Sequence, residues 1–186
     1  MADRRKLGTK DMVMTMAVVL VVVAFIALYG SRVIFAPGAQ PVSGDVPTAD
    51  VVGGYRHAQE SMGFTVTVPS GIPSSWHPNS FTTSNPTTDG AGTLPTVRGG
   101  WVTPDGAYVT LIESSGDEDQ VLQAEIGSVG DSDAKTRAGG ATWTVTNGRR
   151  SELAWIRTAG GTTLLITGNA PEQDFVTVAE SVATAN

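Results

Sequence analysis

The stretch GGWVTPDGAYVTLIES (99–114) contains the clearest fold signal in the chain. Two runs rich in β-branched and apolar residues, 97–102 and 107–113, flank the tetrapeptide TPDG (103–106). Proline at the second turn position presets φ and glycine at the fourth suits the exit, a pairing typical of a type I turn. The stretch therefore predicts an antiparallel β-hairpin.

Downstream of the hairpin, short helices and strands are predicted in alternation. Asp117 followed by Gln120 predicts a capping box at the start of a helix that Gly127 ends. Strands are predicted at 141–146, 151–157 and 162–167, with tight turns at Asn147-Gly148 and at 159–161. A terminal helix follows Pro171, and its buried face is predicted to consist of Phe175, Val178, Ala179 and Val182.

Upstream of the hairpin, residues 64–68 alternate between apolar and threonine side chains, which predicts a half-buried strand that Pro69 ends. A short helix is predicted at 55–61, a further strand at 79–84 and a polar loop at 83–94. The glycine pairs that begin at 99, 139 and 160 are interpreted as turns or bulges. Together these segments predict an α+β domain with six or seven antiparallel strands in one curved sheet and two helices packed on one face.

The N-terminal region contains a long apolar run, MVMTMAVVLVVVAFIALY (12–29), whose only polar member is Thr15. At about 1.5 Å rise per residue this run spans about 27 Å, close to the roughly 30 Å hydrocarbon core of a bilayer. Residues up to 35 can extend it, because Arg32 can snorkel to the headgroups. The run predicts a transmembrane helix at 12–35 rather than a cleaved signal peptide, whose apolar stretch is about 7–15 residues long.

Charges on either side of the run predict its orientation. Basic residues cluster before it, so the positive-inside rule places residues 1–11 in the cytoplasm. Residues 36–54, rich in proline and glycine, are predicted to be a linker to an extracytoplasmic domain at 55–186. The predicted product is a single-pass plasma-membrane protein bound to the lipid bilayer by its N-terminal helix. The residues that flank this anchor are Arg4, Arg5, Lys6, Lys10, Tyr29 and Arg32.

The charge balance argues against nucleic-acid binding. The chain has a formal net charge of −6, and from residue 37 onward 16 acidic residues face 7 basic ones. A domain this acidic is repelled by phosphate backbones. The sequence contains no cysteine, so disulfide bonds and thiolate metal sites are excluded as well.

No motif in the sequence predicts catalysis, a metal or a cofactor. His57 and His77 are separated by twenty positions with no carboxylate at ligand spacing, and no Gly-x-Ser-x-Gly elbow is present. The acidic residues near 117–119, 131 and 133 lack the EF-hand pattern and are interpreted as helix capping and solvation. Trp101 and Trp155 are interpreted as core. Three aromatic residues are predicted as possible partner or pocket contacts: Trp76, Trp143 and Phe175.

Four stretches carry a family resemblance: FTVTVPSGIPSSW (64–76), GGWVTPDGAYVTLIES (99–114), GGATWTV (139–145) and LAWIRTAGGTTLLITGNAPEQDFVTVAESV (153–182). The chain resembles an uncharacterised actinobacterial family of single-pass membrane proteins with one extracytoplasmic domain of unknown function. That resemblance implies no catalytic residue. The last two predicted strands and the terminal helix also resemble the ends of extracytoplasmic sensor domains tied to sigma-factor control.

Two hypotheses for function follow from these features. The first is a non-catalytic, membrane-anchored interaction module, an accessory subunit of a larger membrane or envelope complex such as a respiratory or transport assembly, with a membrane protein as partner. The alternative is an extracytoplasmic sensor or carrier that binds a small apolar ligand between sheet and helices. An enzyme is the third and least favoured reading.

Overall fold

The computed structural model describes residues 13–14, 16–19, 48–85, 93–127, 134–147 and 152–183. The chain divides into two units, Met1–Gly44 and Asp45–Asn186. In the first unit the described residues are helical. Within the described part of the chain, none of the helices has the length and apolarity needed to cross a bilayer. Most of the predicted membrane helix, together with its predicted flanking residues, lies outside the described residues.

The hairpin predicted at 97–113 is confirmed and lies inside the sheet of the second unit. Strand β2 (Thr96–Val102) pairs antiparallel with β3 (Tyr108–Ser114). In the turn between them, the Gly106 amide donates a hydrogen bond to the Thr103 carbonyl oxygen at 2.9 Å. Gly106 has a φ of 79°, a conformation that residues with a side chain rarely adopt. The predicted turn chemistry therefore accounts for the observed register.

The sheet has seven antiparallel strands in the order β1-β2-β3-β7-β6-β5-β4, which confirms the predicted strand number. The other five strands are β1 (His77–Ser84), β4 (Lys135–Ala138), β5 (Ala141–Asn147), β6 (Leu153–Ala159) and β7 (Thr162–Gly168). Of these, β4 was not predicted, because four residues with two exposed charges give no alternation to detect. Most of the predicted 83–94 loop and the Gly of the predicted 147–148 turn lie outside the described residues.

Three helices belong to this unit: α1 (Val51–Ser61), α2 (Glu118–Ile126) and α3 (Glu172–Ala183). Helix α1 begins four residues before the predicted start of the domain, where the Asp50 side chain accepts a hydrogen bond from the Gly53 amide. The capping box predicted for α2 is confirmed in both directions. Gly127 ends that helix in the left-handed region, with a φ of 74°.

The helices pack on both faces of the sheet, so the prediction that they share one face is wrong. Leu111 and Ile112 are neighbours in β3 and point to opposite faces, as successive residues in a strand must. Leu111 belongs to the core cluster that also contains buried residues of α1 and α3. Ile112 belongs to the cluster under α2, with Val121, Leu122, Ile126, Ala154, Ile156 and Leu165. The near-continuous apolar runs in β3, β6 and β7 follow from this two-sided burial.

The strand predicted at 64–68 is absent: residue 64 lies in a bend and residues 65–68 form no regular element, although Val66 is buried. Side chains rather than a neighbouring strand satisfy its backbone. The Thr67 amide donates to Glu113 at 2.8 Å, and the Thr65 carbonyl accepts from the Thr162 hydroxyl at 2.8 Å. The Val66 carbonyl accepts from the side-chain amide Nε2 of Gln59 at 3.1 Å. Alternation of apolar residues predicts an extended chain with one buried side, but it does not identify the groups that bond to its backbone.

The three glycine pairs divide into two kinds. Those at 139–140 and 160–161 have positive φ and form hairpin turns, as predicted. The pair at 99–100 lies inside β2 and forms no turn, while the register of β1 against β2 shifts between Pro78 and Ser80, opposite Trp101 and Gly100. A Cβ added at Gly99 would overlap the ring of Tyr55, whose hydroxyl donates to the Leu111 carbonyl at 2.8 Å. The missing side chain therefore lets α1 lie directly on the sheet.

We expect Gly99→Ala to destabilise the domain by about 1–3 kcal/mol, because the added methyl group forces the buried Tyr55 ring to move. Gly63→Ala is the matched control, since no atom lies within 4 Å of a Cβ at that position. Its effect should stay within about 0.5 kcal/mol. Urea unfolding followed by tryptophan fluorescence measures both variants. Equal stability of the two would contradict the close approach of Tyr55 to Gly99.

Candidate functional site

A row of side chains crosses the sheet on the face that α1 and α3 cover. Glu113 in β3 lies opposite Leu164 in β7, and Leu164 lies opposite Arg157 in β6. Directly opposed residues of antiparallel strands project to the same face. The guanidinium carbon of Arg157 lies 4.9 Å from the centre of the Trp143 ring. The register of three strands thus places an acid and a base on one largely apolar face.

Glu113 is fully buried, and its carboxyl group is only half satisfied. Oε2 accepts the hydrogen bond from the Thr67 amide, whereas Oε1 has no partner among the described residues. Burial raises the pKa of Glu113 to about 8, and the Thr67 hydrogen bond and the charge of Arg157 offset only part of that rise. The carboxyl group is therefore mostly protonated at neutral pH.

Arg157 is half-buried and has no ionic partner in the described ranges. Burial lowers its pKa, and the nearby Glu113 counteracts this effect. Its Nε–H is buried without an acceptor, and the ion pair seen among the described residues joins Arg98 to Glu125 instead. The main described contact of the guanidinium is the face of Trp143, an interaction worth about 0.5–2 kcal/mol.

A cavity of about 460 Å³ opens beside Arg157. Its walls are the segment at Thr65 and Thr67, the glycine turns at 139–140 and 160, strands β6 and β7, and the last turn of α3. Arg157 is the charged residue of this lining, and Leu164, Val182 and Ala183 contribute apolar surface. A second hollow of about 560 Å³ contains no charged side chain in its lining of Gln59, Met62, Gly63, Phe64, Thr65 and Val66.

The three aromatic residues predicted as partner or pocket contacts all lie in the core. Trp143 and Phe175 are fully buried, and Trp76 is 7% exposed. The Trp143 indole donates to the Ala138 carbonyl at 3.2 Å, and Phe175 packs against Trp155 with ring centres 5.5 Å apart. None of the three lines the cavity beside Arg157. Trp143 nonetheless contacts the site, because the Arg157 guanidinium lies over its ring.

Glu113 and Arg157 are the residues that sequence reasoning missed. A period-two count along β3 gives the signal for the first, because Val109, Leu111 and Glu113 share one face. The same count in β6 places Arg157 beside Trp155 on that face. Nothing local indicates that β7 lies between β3 and β6 in the sheet and brings the two residues into one row.

Other groups that the sequence analysis considered for chemistry remain separate. The His77 ring lies 3.4 Å from the Thr48 hydroxyl, and Asp117 accepts the capping hydrogen bond from the Gln120 amide. Asp131 and Asp133 lie outside the described residues. Among the residues that the structure does describe, no group of three or more potential metal ligands occurs.

We expect the free energy of unfolding to fall as pH rises from about 5 to about 8. In this window the folded state retains the Glu113 proton that the unfolded chain, with an ordinary pKa near 4.5, has released. Because the folded state binds the extra proton, the slope is negative, and one such group contributes at most about 1.4 kcal/mol per pH unit. Urea unfolding by tryptophan fluorescence at several pH values measures this dependence.

Glu113→Gln should flatten that pH dependence, since the amide does not titrate. Glu60→Gln provides the control, because Glu60 is exposed on α1 and its loss should leave the slope unchanged. Equal slopes for wild type and Glu113→Gln would contradict the burial of a proton on this carboxyl group.

Comparison with known families supports one of the sequence predictions. No curated protein matches the chain. The family described as "Protein of unknown function (DUF4245)" matches residues 4–182, nearly the whole length of the chain. This match confirms the prediction of an uncharacterised family, while membrane attachment and actinobacterial origin stay predictions. The chain belongs to the DUF4245 family of proteins of unknown function.

Proposed function

We propose that this protein is a non-catalytic interaction module, anchored in the plasma membrane by residues 12–35 and displaying its folded domain outside the cell. Its role is that of an accessory subunit in a larger membrane or envelope complex, such as a respiratory or transport assembly. The partner is a membrane protein, because an anchored domain meets membrane partners at a raised local concentration without needing further contacts.

The observation that carries this proposal is the apolar exposure of the first unit. Five of its described side chains are between 56% and 72% exposed: Val13, Met14, Met16, Val18 and Val19. Helical residues of this kind are unfavourable in water, at about 25 cal/mol per Å² of apolar surface, and favourable in lipid. They belong to the run whose only polar member is Thr15, preceded by basic residues that suit the cytoplasmic side.

The cavity beside Arg157 favours a second candidate function, that of an extracytoplasmic sensor or carrier for a small molecule. It lies between the terminal helix and the sheet, and its volume is within the range of about 300–1,000 Å³ that ligand sites occupy. The aromatic lining predicted for such a site, Trp143 and Phe175, is instead packed in the core. The lining contains both polar and apolar residues, so the cavity favours a partly polar ligand over a purely apolar one.

We expect the double variant Val21→Lys/Val22→Lys to move the protein from the membrane fraction to the soluble fraction. Each charge at the centre of a spanning helix costs about 2.5–3.5 kcal/mol. Val42→Lys, in the predicted linker, is the control and should stay in the membrane. Carbonate extraction of membranes measures the partition. Wild-type protein that alkaline carbonate releases would contradict the anchor.

Purification in mild detergent after chemical crosslinking should recover the protein with a membrane partner in near-stoichiometric amount, identified by mass spectrometry. A chimera with an unrelated spanning helix at 12–35 separates the contributions of anchor and domain. If the domain makes the specific contacts, the chimera should retain the partner. Recovery of the wild-type protein alone at every detergent strength would refute the accessory-subunit role.

A further inference from the structure

We propose that the cavity between strands β6 and β7 and the last turn of α3 binds a small organic anion, whose oxyanion group pairs with Arg157. A short aliphatic tail of this ligand packs against Leu164, Val182 and Ala183, which line the same cavity. The inference rests on the second candidate function and names the ligand class for that site.

The first support is that the cation is held in place before any ligand arrives. The guanidinium of Arg157 lies over Trp143, a fully buried ring whose indole nitrogen is fixed by its hydrogen bond to the Ala138 carbonyl. A rigid aromatic platform restricts a side chain that would otherwise lose about 2 kcal/mol of rotamer entropy on binding. Pre-organisation of this kind lowers the cost of recognising an oxyanion.

The second support is that nothing described neutralises this cation. No described carboxylate lies within ion-pairing distance of Arg157, and its buried Nε–H lacks an acceptor. The nearest acid along the row is Glu113, two strands away on the same face. Its burial raises its pKa to about 8, so it carries a proton and little charge at neutral pH. An oxyanion in the cavity would supply the charge partner that the guanidinium lacks among the described residues.

The third support is the shape and polarity of the space. At about 460 Å³ the cavity lies in the lower half of the range of ligand sites and has room for a small organic molecule. Its polar lining is uncharged apart from Arg157, whereas Leu164 and Val182 are apolar and buried. This division matches an amphiphilic anion better than a hydrocarbon or a bare inorganic ion. Carboxylates and phosphate monoesters share the required chemistry, because both fit the guanidinium fork.

The test uses the full chain in nanodiscs of zwitterionic lipid at pH 7 and constant ionic strength, with isothermal titration calorimetry. The probes are acetate, butyrate, butyl phosphate and neutral 1-butanol. Butyrate should bind saturably and more tightly than acetate, with up to about a fourfold gain for each methylene group that is buried. Arg157→Gln should weaken butyrate at least tenfold. Arg137→Gln, which removes an exposed arginine from β4, should leave its affinity unchanged.

Far-UV circular dichroism and urea unfolding establish whether Arg157→Gln is folded. Ala183→Leu tests the apolar end of the cavity while Arg157 stays in place. The larger side chain narrows that end, so butyrate should be weakened more than acetate. Tighter binding of butyrate or of butyl phosphate identifies which oxyanion the site prefers, and either one supports the inference.

Three outcomes would overturn the proposed ligand class. Butanol that binds as tightly as butyrate, with no effect of Arg157→Gln, would leave a ligand-binding function standing and refute the anion site. Equal losses in Arg137→Gln and Arg157→Gln would show general electrostatic attraction only. Absence of binding by acetate, butyrate and butyl phosphate would refute the anion site and leave the second candidate function to ligands of other chemistry.

Discussion

The half-satisfied carboxyl group of Glu113 is the constraint on which this side of the domain depends. It lies on a central strand, fully buried, and one of its oxygens holds the backbone of a segment that no strand pairs with. A buried carboxylate without full hydrogen bonding is unfavourable, so burial raises the pKa of Glu113 to about 8. The side chain therefore keeps its proton at neutral pH. Segment 64–68 is thus attached to the sheet through a side chain that is neutral in the folded state.

On the same face of the sheet, helix α1 packs closely against strand β2. Gly99 removes a side chain where α1 crosses β2, and Tyr55 fills the space and donates its hydroxyl to the Leu111 carbonyl. Burial, with the nearby Glu113, raises the pKa of Tyr55 well above its ordinary value, so this donor keeps its proton. Among the described residues, α2 covers the opposite face, with its own small cluster beneath it. The sheet is therefore covered on both sides by helices of modest length.

The two proposals concern different parts of the molecule and are compatible. Membrane anchoring relies on the apolar helical residues of the first unit. Anion binding relies on Arg157, its Trp143 platform and the space beside them in the second unit. A sensor or carrier that acts within a membrane assembly would use both.

Local chemistry in the sequence determined the hairpin at 97–113, the capping box from Asp117 to Gln120 and the buried face of α3. Each depends on residues a few positions apart, whose turn, cap or period is set by their neighbours in the chain. The apolar run at 12–29 is local in the same sense. Only tertiary structure decided that helices cover both faces, that Gly99 admits Tyr55, and that Glu113 and Arg157 share a row. Those facts depend on strand order and register, and pairings between distant segments leave no periodic trace in the sequence.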